Sequence, residues 1–238
     1  MKKLGVIGGM GPMATVYFMQ MVVEMTRAET DQEHIEMLIH NCPSIPDRTS
    51  YILGESRKDP GEPMAAIGRR LAECGADVIA IPCVTANYFC RQLSAEIPVP
   101  IINSITETVR YLSGHRIRRV GLMATDGTVQ SALFQRALAG AGIEAVLPGE
   151  AGQRDVMHLI YQNIKATRPA ELERFQRVSL ELRDQGAQVI LLGCTELSMI
   201  RRDERIGPDY LDVMQVLAKA CVERCGILKE QYQSLITC

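Results

Sequence analysis

The chain has 238 residues, enough for one large domain or two small ones. Hydrophobic residues make up 47% of it and tryptophan is absent, so a core must rest on Ile, Val, Leu, Met and Ala. Its 26 basic and 28 acidic residues leave a net charge of −2 with no long run of either sign, which excludes a surface made for a phosphate backbone or an anionic membrane.

The basic cluster His115, Arg116, Arg118 and Arg119 reads as a solvated helix end. No stretch reaches the roughly 18 apolar residues of a membrane span. The apolar start after Lys3 is broken at once by Gly8 and Gly9, so no signal peptide is read and a cytoplasmic location is expected. In such a compartment the eight cysteines point to burial, catalysis or metal rather than to disulfides. No Cys-x-x-Cys occurs, and Cys221 and Cys225 have no second ligand pair near them, so a zinc site is not expected.

Short apolar runs alternate with helical patterns. Leu4 to Ile7 reads as a buried strand, and Pro12 opens a helix to about Arg27, where its missing N–H costs nothing. Ile35 to Ile39 is a second strand, and Asn41 to Tyr51, with two prolines, a loop. Lys58 to Cys74 is helical and ends at Gly75. Asp77 to Ile81 is a strand, Ala86 to Ala95 a helix, and Val99 to Ile102 a strand. The scheme then restarts: strand Arg119 to Met123, helix Gly127 to Ala141, strand Ala145 to Leu147, helices Gln153 to Ala166 and Pro169 to Gln185, strand Gln188 to Leu192, and a final helix from Tyr210 to Cys225. This alternation predicts an α/β fold of parallel sheets covered by helices on both faces.

The restart reads as an internal repeat. Leu4-Gly5-Val6-Ile7 corresponds to Val120-Gly121-Leu122-Met123, and Gly75 through Cys83 corresponds to Gly186 through Cys194. Each second block follows a leucine four residues before its glycine, Leu71 and Leu182. Any two strand–loop units of an α/β protein look alike, but a cysteine falls at the same strand end twice. Ligands of open α/β sheets bind beyond the carboxyl ends of the strands, where both cysteines sit. A helix start after each would favour a thiolate. Two opposed thiols suit inversion of a carbon stereocentre, with a base on one face and an acid on the other. Donors around the substrate carboxylate would stabilise the planar anion. A lone cysteine nucleophile is the competing reading. It would need a histidine, and none of His34, His40, His115 and His158 is beside either thiol in sequence.

Four motifs carry a family resemblance: Gly8-Gly9-Met10-Gly11-Pro12-Met13-Ala14-Thr15, Ser44-Ile45-Pro46-Asp47-Arg48-Thr49, Gly121-Leu122-Met123-Ala124-Thr125 and Leu192-Gly193-Cys194-Thr195-Glu196-Leu197. Together they make the chain resemble the aspartate/glutamate racemase family over nearly its whole length. The resemblance implies two pseudo-symmetric α/β lobes with a cleft between them. The first would be residues 1–103 with 209–238, the second 104–208. It implies a homodimer, a small amino-acid substrate, and neither pyridoxal phosphate nor metal. It makes Cys83 and Cys194 the acid/base thiols, with Arg48 and Lys165 on an acidic substrate. Thr85, Thr125 and Thr195 would lie around its carboxylate and ammonium, and Glu196 would tune Cys194.

The sequence departs from the family where Pro-Cys-Asn-Thr-Ala-His is usual. Here Pro82-Cys83-Val84-Thr85-Ala86-Asn87 stands instead, and Val84 and Asn87 point to a substrate other than plain aspartate. Each site residue also has a plainer reading. Arg48 fits a surface loop, Lys165 and Glu196 fit the dipoles of helix ends, and Thr125 fits an N-cap. Three rival functions remain at this level. A dinucleotide-binding oxidoreductase would use Gly9, Gly11 and Ala14 with Glu29 or Asp31. The others are a related isomerase or decarboxylase of the same fold, and an amino-acid-binding paralogue without turnover.

Overall fold

The computed structural model describes residues 2–237. Eight strands form two four-stranded, all-parallel sheets. The first holds β1 (Leu4–Gly8), β2 (Met37–Asn41), β3 (Val78–Ala80) and β4 (Ile101–Ile102) in the order β2-β1-β3-β4. The second holds β5 (Arg119–Met123), β6 (Glu144–Val146), β7 (Val189–Leu192) and β8 (Tyr210–Asp212) in the order β6-β5-β7-β8. The orders match strand for strand, so the repeat read in the sequence is a repeat of topology.

The helices in chain order are α1 (Pro12–Met25), α2 (Arg48–Ile52), α3 (Gly61–Glu73), α4 (Cys90–Glu96), α5 (Ser104–Gly114), α6 (Asp126–Ser131), α7 (Leu133–Gly140), α8 (Glu150–His158), α9 (Leu172–Asp184), α10 (Thr195–Asp203) and α11 (Val213–Cys225). A 3₁₀ segment, Val84–Phe89, precedes α4, and a π-helical segment, Leu159–Ile164, continues α8. Among the described residues no helix is long and apolar enough to cross a membrane.

The repeated glycine and leucine have one packing role. A Cβ on Gly5 would lie 2.9 Å from the Cβ of Ala76 and 3.4 Å from that of Leu71. A Cβ on Gly121 would lie 3.3 Å from the Cβ of Ala187 and 3.0 Å from that of Leu182. The end of α3, and likewise of α9, therefore presses on the strand where only a glycine leaves room.

Strand alternation then partitions the core. Leu4, Val6, Val78 and Ala80 of the first sheet share one cluster with Val120, Leu122, Val189 and Leu191 of the second. The intervening Ile7 and Ile79 face α3, and Met123, Ile190 and Leu192 face α9. One face of each sheet thus contributes to a common core, into which α1, α5 and α11 are packed.

Several elements differ from the sequence reading. The final helix starts at Val213, because Tyr210–Asp212 is an edge strand pairing Ile190 with Tyr210 and Leu192 with Asp212. These residues complete the second sheet, so the lobe boundary expected at 208/209 cuts before a strand that the second lobe needs. The loop from Asn41 contains α2, which Asp47 caps by accepting from the Ser50 N–H at 2.9 Å. The helix expected over Gly127 to Ala141 is broken at Ala132, a left-handed residue with φ 53°. Helix α5, capped by Asn103, is read in the sequence only at its far end, where His115 follows it.

Candidate active site

The two thiols occupy equivalent positions. Cys83 is the N-cap of the 3₁₀ segment after β3, and Cys194 is the N-cap of α10 after β7. Both are extended in backbone and 7% exposed. Gly193 brings Cys194 close to β5: its N–H donates to the Met123 carbonyl at 2.8 Å, and a Cβ there would meet that carbonyl at 2.9 Å.

Cys83 and Cys194 line one inner chamber between the lobes. With them stand Arg48, Thr85, Thr125, Lys165 and Glu196 of the expected residues. The chamber has only about 10 Å³ of free space. An outer pocket of about 500 Å³ shares Met10, Asp47, Arg48, Lys165 and Glu196 with it.

The electrostatics of the two sides differ. The Cys194 Sγ donates to Glu196 Oε2 at 2.9 Å, and the Thr195 hydroxyl donates to the same oxygen at 3.1 Å. Burial first, then the Glu196 charge, push the Cys194 thiol well above the usual thiol range. Cys83 has a guanidinium as its neighbour. Burial works against the Arg48 charge, but Cys83 and Asp47 outweigh it and hold that guanidinium above its ordinary range. Arg48 donates to the carbonyls of Pro46, at 3.0 Å, and Ile45, at 3.4 Å, while its Nε is buried without a partner.

Across the cleft, Asp47 of the first lobe meets the π-helical segment of the second. The Tyr161 hydroxyl donates to both Asp47 oxygens, at 3.2 and 3.3 Å, and the Lys165 ammonium lies 3.6 Å from Oδ2 and 4.1 Å from the Tyr161 ring centre. Burial opposes the Lys165 charge. Glu196, Cys194, Tyr161 and Asp47 outweigh it and hold the ammonium above its ordinary range. Three hydroxyls also join the lobes: Thr85 lies 3.0 Å from both Thr125 and Thr128, which are 3.1 Å apart. These arrangements supply a thiol beside a carboxylate, a thiol beside a cation, a second cation, and a cluster of hydroxyls.

Val84 and Asn87 do not line the chamber. Val84 is buried in the common core, and the Asn87 amide donates to the Val84 carbonyl at 2.7 Å and to Ser104 Oγ at 2.9 Å. They fix the segment after Cys83 against α5 rather than facing a ligand. Thr195 is held by Glu196 and is likewise absent from the chamber's lining. Sequence reasoning missed Asp47, Tyr161 and Thr128. Asp47 lay inside a quoted motif, and Tyr161 precedes Lys165 by about one helical turn, so both left a signal.

The glycines that suggested a dinucleotide fingerprint have another use. Gly9 adopts φ +96°, and a Cβ there would lie 2.3 to 2.6 Å from the backbone of Cys42. It admits the chain's own loop after β2 rather than a pyrophosphate.

The architecture is that of a two-lobed α/β protein with a chamber in the interlobe cleft. The chain belongs to the Asp/Glu/Hydantoin racemase family, whose sequence model matches residues 7–221, and by that membership it is an isomerase. The broad specificity amino-acid racemase RacX of Bacillus subtilis (strain 168) is 26% identical over 226 residues, covering 92% of this chain and 96% of that protein. The Picrophilus torridus aspartate racemase superposes with a TM-score of 0.83 and 27% identity over 98% of both chains. The glutamate racemase of Francisella tularensis subsp. tularensis SCHU S4, solved with D-glutamate, shares the fold. Its TM-score is 0.63 at 18% identity, covering 94% of this chain and 80% of that one.

Proposed function

We propose that the protein inverts the α-carbon of an amino acid by proton transfer between two thiols, Cys83 and Cys194, without a cofactor. The observation that carries this reading is the presence of both thiols, at matched strand ends, in the lining of one chamber. Aspartate, glutamate or a related amino acid is the substrate. The protein works as a cytoplasmic homodimer, with each lobe contributing one thiol. The first lobe comprises the first sheet with α11, and the second runs from α5 through β8.

The two thiols have different neighbours. The guanidinium of Arg48 lies beside Cys83. Glu196 accepts the Cys194 proton and disfavours a thiolate there. Cys83 then acts as base toward one enantiomer while Cys194 supplies the proton on the opposite face, and the reverse reaction exchanges the roles. Arg48 and Lys165 hold the substrate carboxylate and stabilise negative charge that develops on it as the α-proton leaves. Thr85 and Thr125 bind at the carboxylate and ammonium. Thr195 supports Glu196.

Incubation with each enantiomer of an amino-acid panel, followed by chiral chromatography, tests the reading. The expected result is appearance of the opposite hand, retained after dialysis against a chelator. Activity lost on dialysis and restored by metal or pyridoxal phosphate contradicts the cofactor-free mechanism.

A further inference from the structure

Lys165 is half of an ion pair that stops short of a hydrogen bond. Its ammonium lies 3.6 Å from Asp47 Oδ2, and its side chain is 25% exposed. A cation this shielded from water gains by closing on the nearest carboxylate. Two contacts of Tyr161 act against that closure. Its ring stands against the ammonium, which lies 4.1 Å from the ring centre, and its hydroxyl donates to Asp47 Oδ2 at 3.2 Å and Oδ1 at 3.3 Å. Burial holds the phenol above its ordinary range, so the hydroxyl keeps its proton and remains a donor. Asp47 Oδ1 is engaged a second time, by the Ser50 N–H at 2.9 Å. The carboxylate is thus satisfied largely without Lys165, whose side chain lines the chamber that holds both thiols.

We infer that Tyr161 is a positioning residue: it keeps Lys165 from closing on Asp47 and so leaves the ammonium free to bind the substrate carboxylate. The inference rests on the racemase reading above, in which Lys165 holds that carboxylate. The phenol does no chemistry of its own and acts only through its two charged neighbours.

The test compares steady-state inversion by the wild-type protein, the variant Tyr161→Phe and the double variant Tyr161→Phe, Asp47→Asn. The substrate is the amino acid that the wild type inverts fastest. Tyr161→Phe keeps the ring against the ammonium and removes both hydrogen bonds to Asp47. KM is expected to rise by about tenfold, the scale of one hydrogen bond to a charged group. The carboxylate is charged before and after the α-proton leaves, so kcat is expected to fall by less than KM rises. Asp47→Asn removes the charge that draws Lys165 and keeps an oxygen to cap α2. In the double variant KM is expected to return to within about threefold of the wild-type value. An unchanged KM in Tyr161→Phe overturns the inference, as does a KM that stays raised in the double variant, and either leaves the racemase reading standing. A wild-type protein that inverts no amino acid of the panel overturns the reading and the inference together.

Discussion

Glu196 separates the two thiols more than any other residue does. It accepts the Cys194 proton at 2.9 Å in a buried site, and its charge adds to burial in keeping that thiol protonated. Inversion needs one thiolate and one thiol at the same time, so activity lasts until the Cys194 proton is lost at high pH. Glu196→Gln removes the charge and keeps an oxygen for the hydrogen bond. The alkaline limb of the pH–rate profile is expected to move to lower pH while the acid limb stays. An unmoved alkaline limb would show that Glu196 does not tune Cys194. Little of this asymmetry was legible beforehand: the two strand-end cysteines stood out in the sequence, but Arg48 approaches Cys83 only through a loop 35 residues upstream.

At the scale of elements, the π-helical segment after α8 positions the cation and the phenol of the site. Its far end is tied down by Glu171, which accepts from Asn163 at 3.2 Å and bonds His158 and Arg174 at 2.6 Å each. Hydrogen bonds from Arg174, then His158 and Asn163, lower the Glu171 carboxyl to about 2 from an ordinary 4.5. A depressed carboxyl contributes stability above its unfolded value and loses it as pH falls through its folded value. The contribution of Glu171 is therefore complete above about 4.5 and fades toward 2. Glu171→Gln is expected to lower the melting temperature near neutrality, modestly because the group is half-exposed, and to make no difference near pH 2. A gap that persists at low pH would contradict this. The elements most legible in the sequence were β1, β3, β5 and β7, whose apolar runs and glycine–leucine spacing follow directly from burial. The break at Ala132 was not legible, because alanine has no preference for the left-handed region it adopts. The strand at Tyr210 merged with the helix after it because apolar residues run through both, and only Asp212, accepting from the Met214 N–H at 2.9 Å, marks the junction.

For the whole molecule, the common core decides how the lobes behave. Residues from both sheets meet α1, α5 and α11 in one cluster, so neither lobe has a separate interior on its inner face. Leu217 of α11 is 1% exposed within it. Leu217→Ala is expected to cost about 2–5 kcal/mol. Thermal unfolding should remain a single transition, moved down in temperature. Two transitions of which only one moves would show that the lobes unfold independently. The same construction fixes the thiols relative to each other, since each stands at the end of a strand anchored in that core. The pairing of Asp47 with Tyr161, 114 residues apart, depends on this closure and could not be read from local sequence. The inner chamber, the outer pocket and the asymmetric thiols all follow from two similar halves joined face to face.

The central claim is that Cys83 and Cys194 act together, one on each face of the α-carbon. The most direct measurement is inversion by the single variants Cys83→Ser and Cys194→Ser, followed for both enantiomers by chiral chromatography alongside α-proton loss in deuterated water. Loss of inversion by about 10²-fold or more in each variant, with the fold intact by circular dichroism, is the predicted result. Inversion at the wild-type rate in both would contradict the two-thiol mechanism.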